Sequence, residues 1–161
     1  MAALRADLLA PLKPKVDRAI SAESLKPALD LLSPLREVAV LEYGATGSFE
    51  ETGPVLKALG THALELIVRE LSSKQAQIEE LNAAANELVL TSGSISGRGL
   101  HTDERNELVS TCDYLRRIES VAREGGRIAH LLGGDVGAWE SIVSDAGNQV
   151  IRIESILNRP G

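Results

Sequence analysis

From Leu64 to Leu88 apolar residues recur at heptad spacing. Leu64, Leu71, Ile78 and Ala85 hold one register, Ile67, Leu81 and Leu88 hold the other, and Lys74 is the one polar intruder. Such a seam predicts a helix packed on other helices. It recurs in Leu108, Cys112, Leu115, Ile118, Val121, Ala122, Ile128, Ala129 and Leu132, a stripe wide enough to be covered from two sides. Trp139, Val143, Ala146, Val150, Ile153 and Leu157 repeat it a third time, with Ile142 and Ile156 widening the face.

Punctuation between the seams sets the expected boundaries. Pro54 suits the first turn of the first long helix, Gly60-Thr61 could split off a short turn, and the helix is expected to run to about Leu90. The stretch Thr91 to Gly99 (TSGSISGRG) reads as a flexible connection. Thr102 is the expected cap of the second helix, with Asp103 and Glu104 placing negative charge at its positive end. Gly133-Gly134 ends that helix, and Asp135 caps the third.

Upstream, four of the six prolines fall within the first 34 residues, which predicts short helical pieces: Ala3 to Leu12, Val16 to Ile20 beyond Pro14, and a segment from Leu25 to Val38 that Pro34 kinks or breaks. Pro27 fits the first turn of that segment, and Gly44 to Gly53 reads as a loop. The run Val38-Ala39-Val40-Leu41 has strand-like composition, yet it is assigned to helix because no second strand is in view to pair with it. The expected fold is all-α: one domain, an antiparallel bundle of four to five helices. Residues 1–53 supply short proline-broken helices, and residues 54–161 supply a core of three long ones.

Composition fits this picture. Aromatic residues are only 2% of the 161, so the interior is filled by Leu, Ile, Val and Ala, which suits close-packed helices better than a sheet. The formal charge of -6 works against binding nucleic acid or anionic lipid, and no stretch is long enough to cross a bilayer. With no convincing secretory signal and a lone cysteine, Cys112, the expected compartment is the cytoplasm.

Catalytic signatures are missing: there is no Walker-type loop, HExxH, paired CxxC or nucleophile elbow. The expectation is a non-enzyme without cofactor or metal. His62, His101 and His130 stand singly, without a second ligand at helical spacing. Arg127 to Gly134 (RIAHLLGG) resembles the phosphorylatable stretch of histidine phosphotransfer domains, which makes His130 a candidate phospho-acceptor. The basic residue that family carries three positions after its histidine is Gly133 here, and the glycines more simply stop the helix.

Arg116, Arg123 and Arg127, seven and eleven residues apart, lie along one side of the second helix and form a candidate partner surface for a phosphate or acidic partner. The plainer reading pairs Glu119 with Arg123 and Glu124 with Arg127 on a solvated face. Cys112 falls at a core position, where inert packing is expected. Gly125-Gly126 inside a helix costs about 1 kcal/mol per glycine relative to alanine, which implies either a close helix approach or a kink.

The stretch from Asp103 to Ala129, with Tyr114-Leu-Arg-Arg-Ile118 and Ile128-Ala129, resembles the signature helix of the phosphate-uptake-regulator (PhoU-like) family, and Ile78-Glu-Glu-Leu81 resembles the helix that leads into it. The likeness covers about Leu64 to Leu132 and implies three-helix-bundle modules that regulate phosphate transport and its signalling kinase through protein contacts. Many members bind metal through an acidic E/D-x-x-x-D motif. The matching positions here are Arg116 and Ser120, which cannot serve as carboxylate ligands, so the scaffold is implied without the metal site. The segment Leu81 to Val89 looks like a partner-binding helix of talin-type rod bundles.

The function expected is that of a non-catalytic regulator or adaptor working through protein partners. A phosphotransfer protein using His130 and a structural rod module are the alternatives. Self-association is expected through wide apolar faces on the N-terminal helices.

Overall fold

The computed structural model describes residues 9–22, 24–91 and 93–158. Five helices and one two-stranded hairpin make up their regular structure: α1 (Lys13–Ser21), α2 (Leu25–Thr46), α3 (Thr52–Ala85), β1 (Leu88–Thr91), β2 (Ser94–Gly97), α4 (Thr102–Leu131) and α5 (Gly137–Leu157). The fold is an all-α bundle. Its closest pairings are α4 with α5 and α2 with α3, and α3 also touches both α4 and α5. Polar ties fix the directions. Gln149 Nε2 donates to the Leu71 carbonyl and Arg152 to Glu79, so α3 and α5 run the same way. Gln77 of α3 meets Glu107 while Lys74 meets Tyr114, and Arg105 reaches the Leu157 carbonyl while Arg116 meets Glu154, so α4 runs opposite to both.

The three seams are buried as helix faces. Leu108, Thr111, Cys112, Leu115, Ile118, Ala122, Gly125 and Ile128 turn inward on α4, and Trp139, Ile142, Ala146, Val150, Ile153 and Ile156 on α5. On α3 Leu71, Ile78, Ala85 and Ile67 are buried as their registers predict. The polar intruder Lys74 sits with Nζ 5.3 Å from the centroid of the Tyr114 ring, an ammonium over an aromatic face.

Several boundaries differ from expectation. Residues 3–8 of the helix expected over Ala3 to Leu12 lie outside the described residues, and Leu12 closes a turn onto the Leu9 carbonyl. Pro14 sits in the first turn of α1 instead of separating two helices, because a missing N–H costs nothing there. Pro34 does not break α2, which runs 22 residues through it. The lost bond and ring clash cost about 3 kcal/mol. Burial of Leu31, Leu32, Leu35, Val38 and Ala39 around the proline more than offsets that, at roughly 1.5–3 kcal/mol for each larger side chain. The second half of the expected N-terminal pieces is therefore one continuous helix, and Val38 to Leu41 belong to it.

The loop expected over Gly44 to Gly53 shrinks to residues 47–51. Gly47, at φ 73°, supplies the left-handed stop, and its N–H bonds the Tyr43 carbonyl. Gly60-Thr61 does not interrupt α3, which is continuous over 34 residues, about 51 Å. It ends at Ala85, not Leu90, and the expected flexible connection is instead an antiparallel hairpin. Leu88 pairs with Gly97, Val89 with Ser96, Leu90 with Ile95 and Thr91 with Ser94. Two residues join the strands, one of them Gly93 at φ 83°, as tight hairpin turns require. Leu88 thus leaves the heptad register, and the segment Leu81 to Val89 is not one helix but divides between α3 and β1.

Candidate functional site

Among the described residues, two of the places that gather exposed side chains involve segments singled out in the sequence. One is the hairpin. The pairs Leu88–Gly97 and Leu90–Ile95 put Leu88, Leu90 and Ile95 on a single face, since alternate residues of a strand share a side. Those three side chains are 74%, 72% and 68% exposed. Residues 88–97 carry no charged side chain.

A polar clasp holds the hairpin's base. Arg98 Nε donates to the Ala84 carbonyl at the end of α3 (2.9 Å), and Nη2 donates to Glu104 Oε2 in the first turn of α4 (2.8 Å). Glu104 Oε1 in turn accepts the His101 N–H at 2.9 Å, so the first turn is capped from His101 instead of Thr102. The Arg98 N–H meets the Glu87 carbonyl and the Gly99 N–H meets the Ala85 carbonyl, both at 2.8 Å. The bond from Arg98, then the His101 amide, holds the Glu104 carboxyl down to about 2, and the same bond raises the Arg98 guanidinium. The exposed apolar arm is thereby tied to two long helices at once.

The second place is a groove of about 520 Å³ between the late turns of α4 and the start of α5, lined by Arg123, Gly126, Arg127, His130, Trp139 and Glu140 among others. Arg123, Arg127 and His130, singled out in the sequence, do come together there. Arg116 does not: it lies earlier on α4, bonded to Glu154 at 2.5 Å and near Asp113. The groove's arginines are already paired as the plainer reading expects, Arg123 with Glu119 at 2.6 Å and Arg127 with Glu124 at 3.3 Å. Glu124 also faces Arg36 at 3.2 Å, and Glu140 sits in the lining. Both groove arginines are therefore already engaged with carboxylates on their own helix.

His130 is exposed on the last turn of α4. The glycines after it form the helix stop. Gly133, at φ 72°, donates to the His130 carbonyl (3.0 Å) and Gly134 to the Ala129 carbonyl (2.8 Å), the paired bonds of a Schellman cap. Asp135 Oδ1 then accepts the Gly137 N–H at 2.8 Å to start α5. Gly125-Gly126 is explained by close approach. The Trp139 ring packs against Gly125, where a Cβ would come within 2.5 Å of two ring carbons, and a Cβ on Gly60 of α3 would meet the same ring at 3.6 Å. Cys112 is buried, and that burial raises its thiol pKa, as suits an inert core residue.

One buried charge escaped the sequence reading. Glu42, near the end of α2, accepts the Glu51 N–H (3.0 Å), the Thr52 N–H (3.1 Å) and the Thr52 hydroxyl (2.7 Å). Its carboxylate serves the start of α3 in place of a local cap. The signal was its position: Leu35, Val38, Ala39 and Glu42 fall on one helical face, so the glutamate had to point inward.

Among the described residues no group of three or more His, Cys, Asp or Glu is placed to hold a metal ion, and no helix is long and apolar enough to cross a membrane. Compared with known protein families, curated proteins and solved structures, the chain matches none.

Proposed function

We propose that this chain is a non-catalytic regulator or adaptor that works by protein contact, with the β1–β2 hairpin as its binding element. The observation that carries the reading is the hairpin's apolar face, Leu88, Leu90 and Ile95, held out by the Arg98 clasp. Scattered exposed apolar residues need no explanation, but three on one small face of an ordered arm are the composition of a contact surface. An arm already tied at its base has less freedom to lose on binding. Regulation of phosphate transport or signalling in the PhoU-like manner is the narrower form of this reading. Its support is the likeness over about Leu64 to Leu132, a span that includes α4, the hairpin and most of α3.

The test is a photoreactive residue at position 90 in the living cell, with the same residue at the exposed position 113 of α4 as control. Protein adducts are expected from position 90 and not from 113; a position 90 that gives none overturns the reading. The phosphotransfer alternative draws on one feature, an exposed His130 beside Arg127 at the groove. Its test is incubation with acetyl phosphate, and the reading proposed here expects no label on His130.

A further inference from the structure

We infer that the cavity beside the turn between α4 and α5 is a binding site for a single α-amino acid with an apolar side chain. The inference does not rest on the hairpin, and it gives the regulator a small-molecule input.

The cavity, of about 370 Å³, opens where α2, α3, α4 and α5 meet. Leu32, Leu56, Leu64, Ile128, Leu132 and Trp139 form its apolar wall. Leu32, Leu56, Ile128 and Trp139 are buried, whereas the polar lining residues Lys57, Thr61 and Asp135 are exposed. The apolar wall is therefore the floor, and the polar groups mark the mouth. An apolar chamber with a few polar groups converging on it is the ordinary form of a small-molecule site, and the volume lies at the lower end of the usual range, roughly 300–1,000 Å³. That size suits one compact molecule.

Charge at the mouth says what kind. Lys57 stands three and four positions from Gly53, Pro54, Gly60 and Thr61, so its own helix offers it no carboxylate. Among the described residues no ion pair holds its ammonium. Asp135 spends Oδ1 on the Gly137 N–H at 2.8 Å, and Oδ2 has no such bond. One cavity mouth thus carries an ammonium and a carboxylate oxygen that pair neither with each other nor with a third group.

A ligand with only a carboxylate would meet Asp135 in a chain that already carries a formal charge of -6, and one with only an amine would meet Lys57. An α-amino acid satisfies both groups: its carboxylate turns to Lys57, its ammonium to Asp135, and its side chain enters the floor. The Thr61 hydroxyl, one turn from Lys57 on α3, is a further donor for the carboxylate.

The test uses L-leucine and L-phenylalanine up to about 10 mM, each beside its decarboxylated amine and its deaminated acid, on the purified full chain. Trp139, the chain's single tryptophan, lines the cavity and reports binding by its fluorescence; Tm is the second readout, since a ligand of the folded state raises it. At least one amino acid should shift both signals, with its amine and its acid binding about tenfold more weakly or worse. Lys57→Met keeps an unbranched apolar stem and should bind the amine as well as the amino acid. Asp135→Asn keeps an Oδ1 acceptor for the Gly137 N–H, so α5 still starts, and should bind the acid as well as the amino acid. A wild type that responds to neither amino acid refutes the inference. So does an amine or acid that binds the wild type as tightly as its parent, which needs no variant to fold, or a Lys57→Met chain that still prefers the amino acid to the amine as the wild type does.

Discussion

Replacing Gly125 by alanine should destabilise the bundle, although alanine is the better helix former, while the same change at Gly126 should stabilise it. In an isolated helix each substitution would gain about 1 kcal/mol from propensity alone. At Gly125 the added Cβ would lie 2.5 Å from Trp139 Cε3 and Cζ3 and 2.7 Å from Cδ2. Those are three atoms of one rigid ring, which is only 5% exposed and whose Cζ2 would lie 3.6 Å from a Cβ placed on Gly60, so the ring has little room to retreat. Overpacking of this kind costs about 1–3 kcal/mol, and with three contacts below 3.0 Å the upper part of that range applies. Subtracting the propensity gain leaves a net loss of about 1–2 kcal/mol, a fall in Tm of roughly 2–8 °C for a chain of this size. At Gly126 the nearest atom is Trp139 Cβ at 3.5 Å, an ordinary contact, so the propensity gain survives. Calorimetry or thermal circular dichroism on the two variants reads the opposite signs. The cause is isolated by Trp139→Leu, which removes the ring: in that background Gly125→Ala should turn neutral or stabilising, a coupling of about 1–3 kcal/mol. If Gly125→Ala melts at or above the wild type, or if both glycines respond alike, the glycine slot for Trp139 is not what the position is for.

Three further outcomes follow from contacts of named groups. Glu42→Ala strands two backbone N–H groups and a buried hydroxyl at the start of α3, and should cost about 2 kcal/mol or more in chemical denaturation. Protonating Glu104 should loosen the hairpin. Its folded pKa of about 2 lies below the ordinary 4.5, so its contribution is fully present above pH about 4.5 and fades as pH falls from there toward 2; amide exchange at Arg98 and Gly99, corrected for intrinsic rate, should speed up over that window and stay flat from pH 5 to 7. Leu88→Ser, Leu90→Ser and Ile95→Ser, made together, should leave Tm nearly unchanged because the side chains are already in water, and a fall of several degrees would mean that they pack within the monomer.

How far the fold was legible follows from which interactions repeat. The heptad seams announced α4, α5 and most of α3, because burying one stripe of a helix imposes the same spacing turn after turn. Pro34 misled because proline's cost is local and fixed, whereas the five buried residues around it act through a partner helix the sequence does not display. Glu42 was visible only as a charge on an apolar face, since its partners lie nine and ten positions away across a loop. In the groove, side-chain spacing along α4 brought Arg123, Arg127 and His130 to one side and paired both arginines with Glu119 and Glu124, but that Arg36 of α2 shares Glu124 and that Glu140 of α5 completes the lining could not be read from α4 alone.

The hairpin was hidden for a different reason, and that reason bears on what the molecule does. Leu81 and Leu88 continue the α3 register without a break, so periodicity alone carries the helix on to Leu90. What stops it is the pairing of Leu90 with Ile95 across a two-residue turn, an interaction among residues that reads at most as Ser-Gly flexibility when each half is taken alone. Continuing the helix would have set Leu88 on the buried seam. The chain instead leaves that burial unclaimed, turns Leu88 and Leu90 outward beside Ile95, and spends Arg98 and Glu104 on fixing the arm in place. A two-stranded hairpin is marginal in water by itself, and this one gains no core of its own. Its stability comes from the clasp at its base, and the free energy still available in its exposed face is realised only when something covers that face.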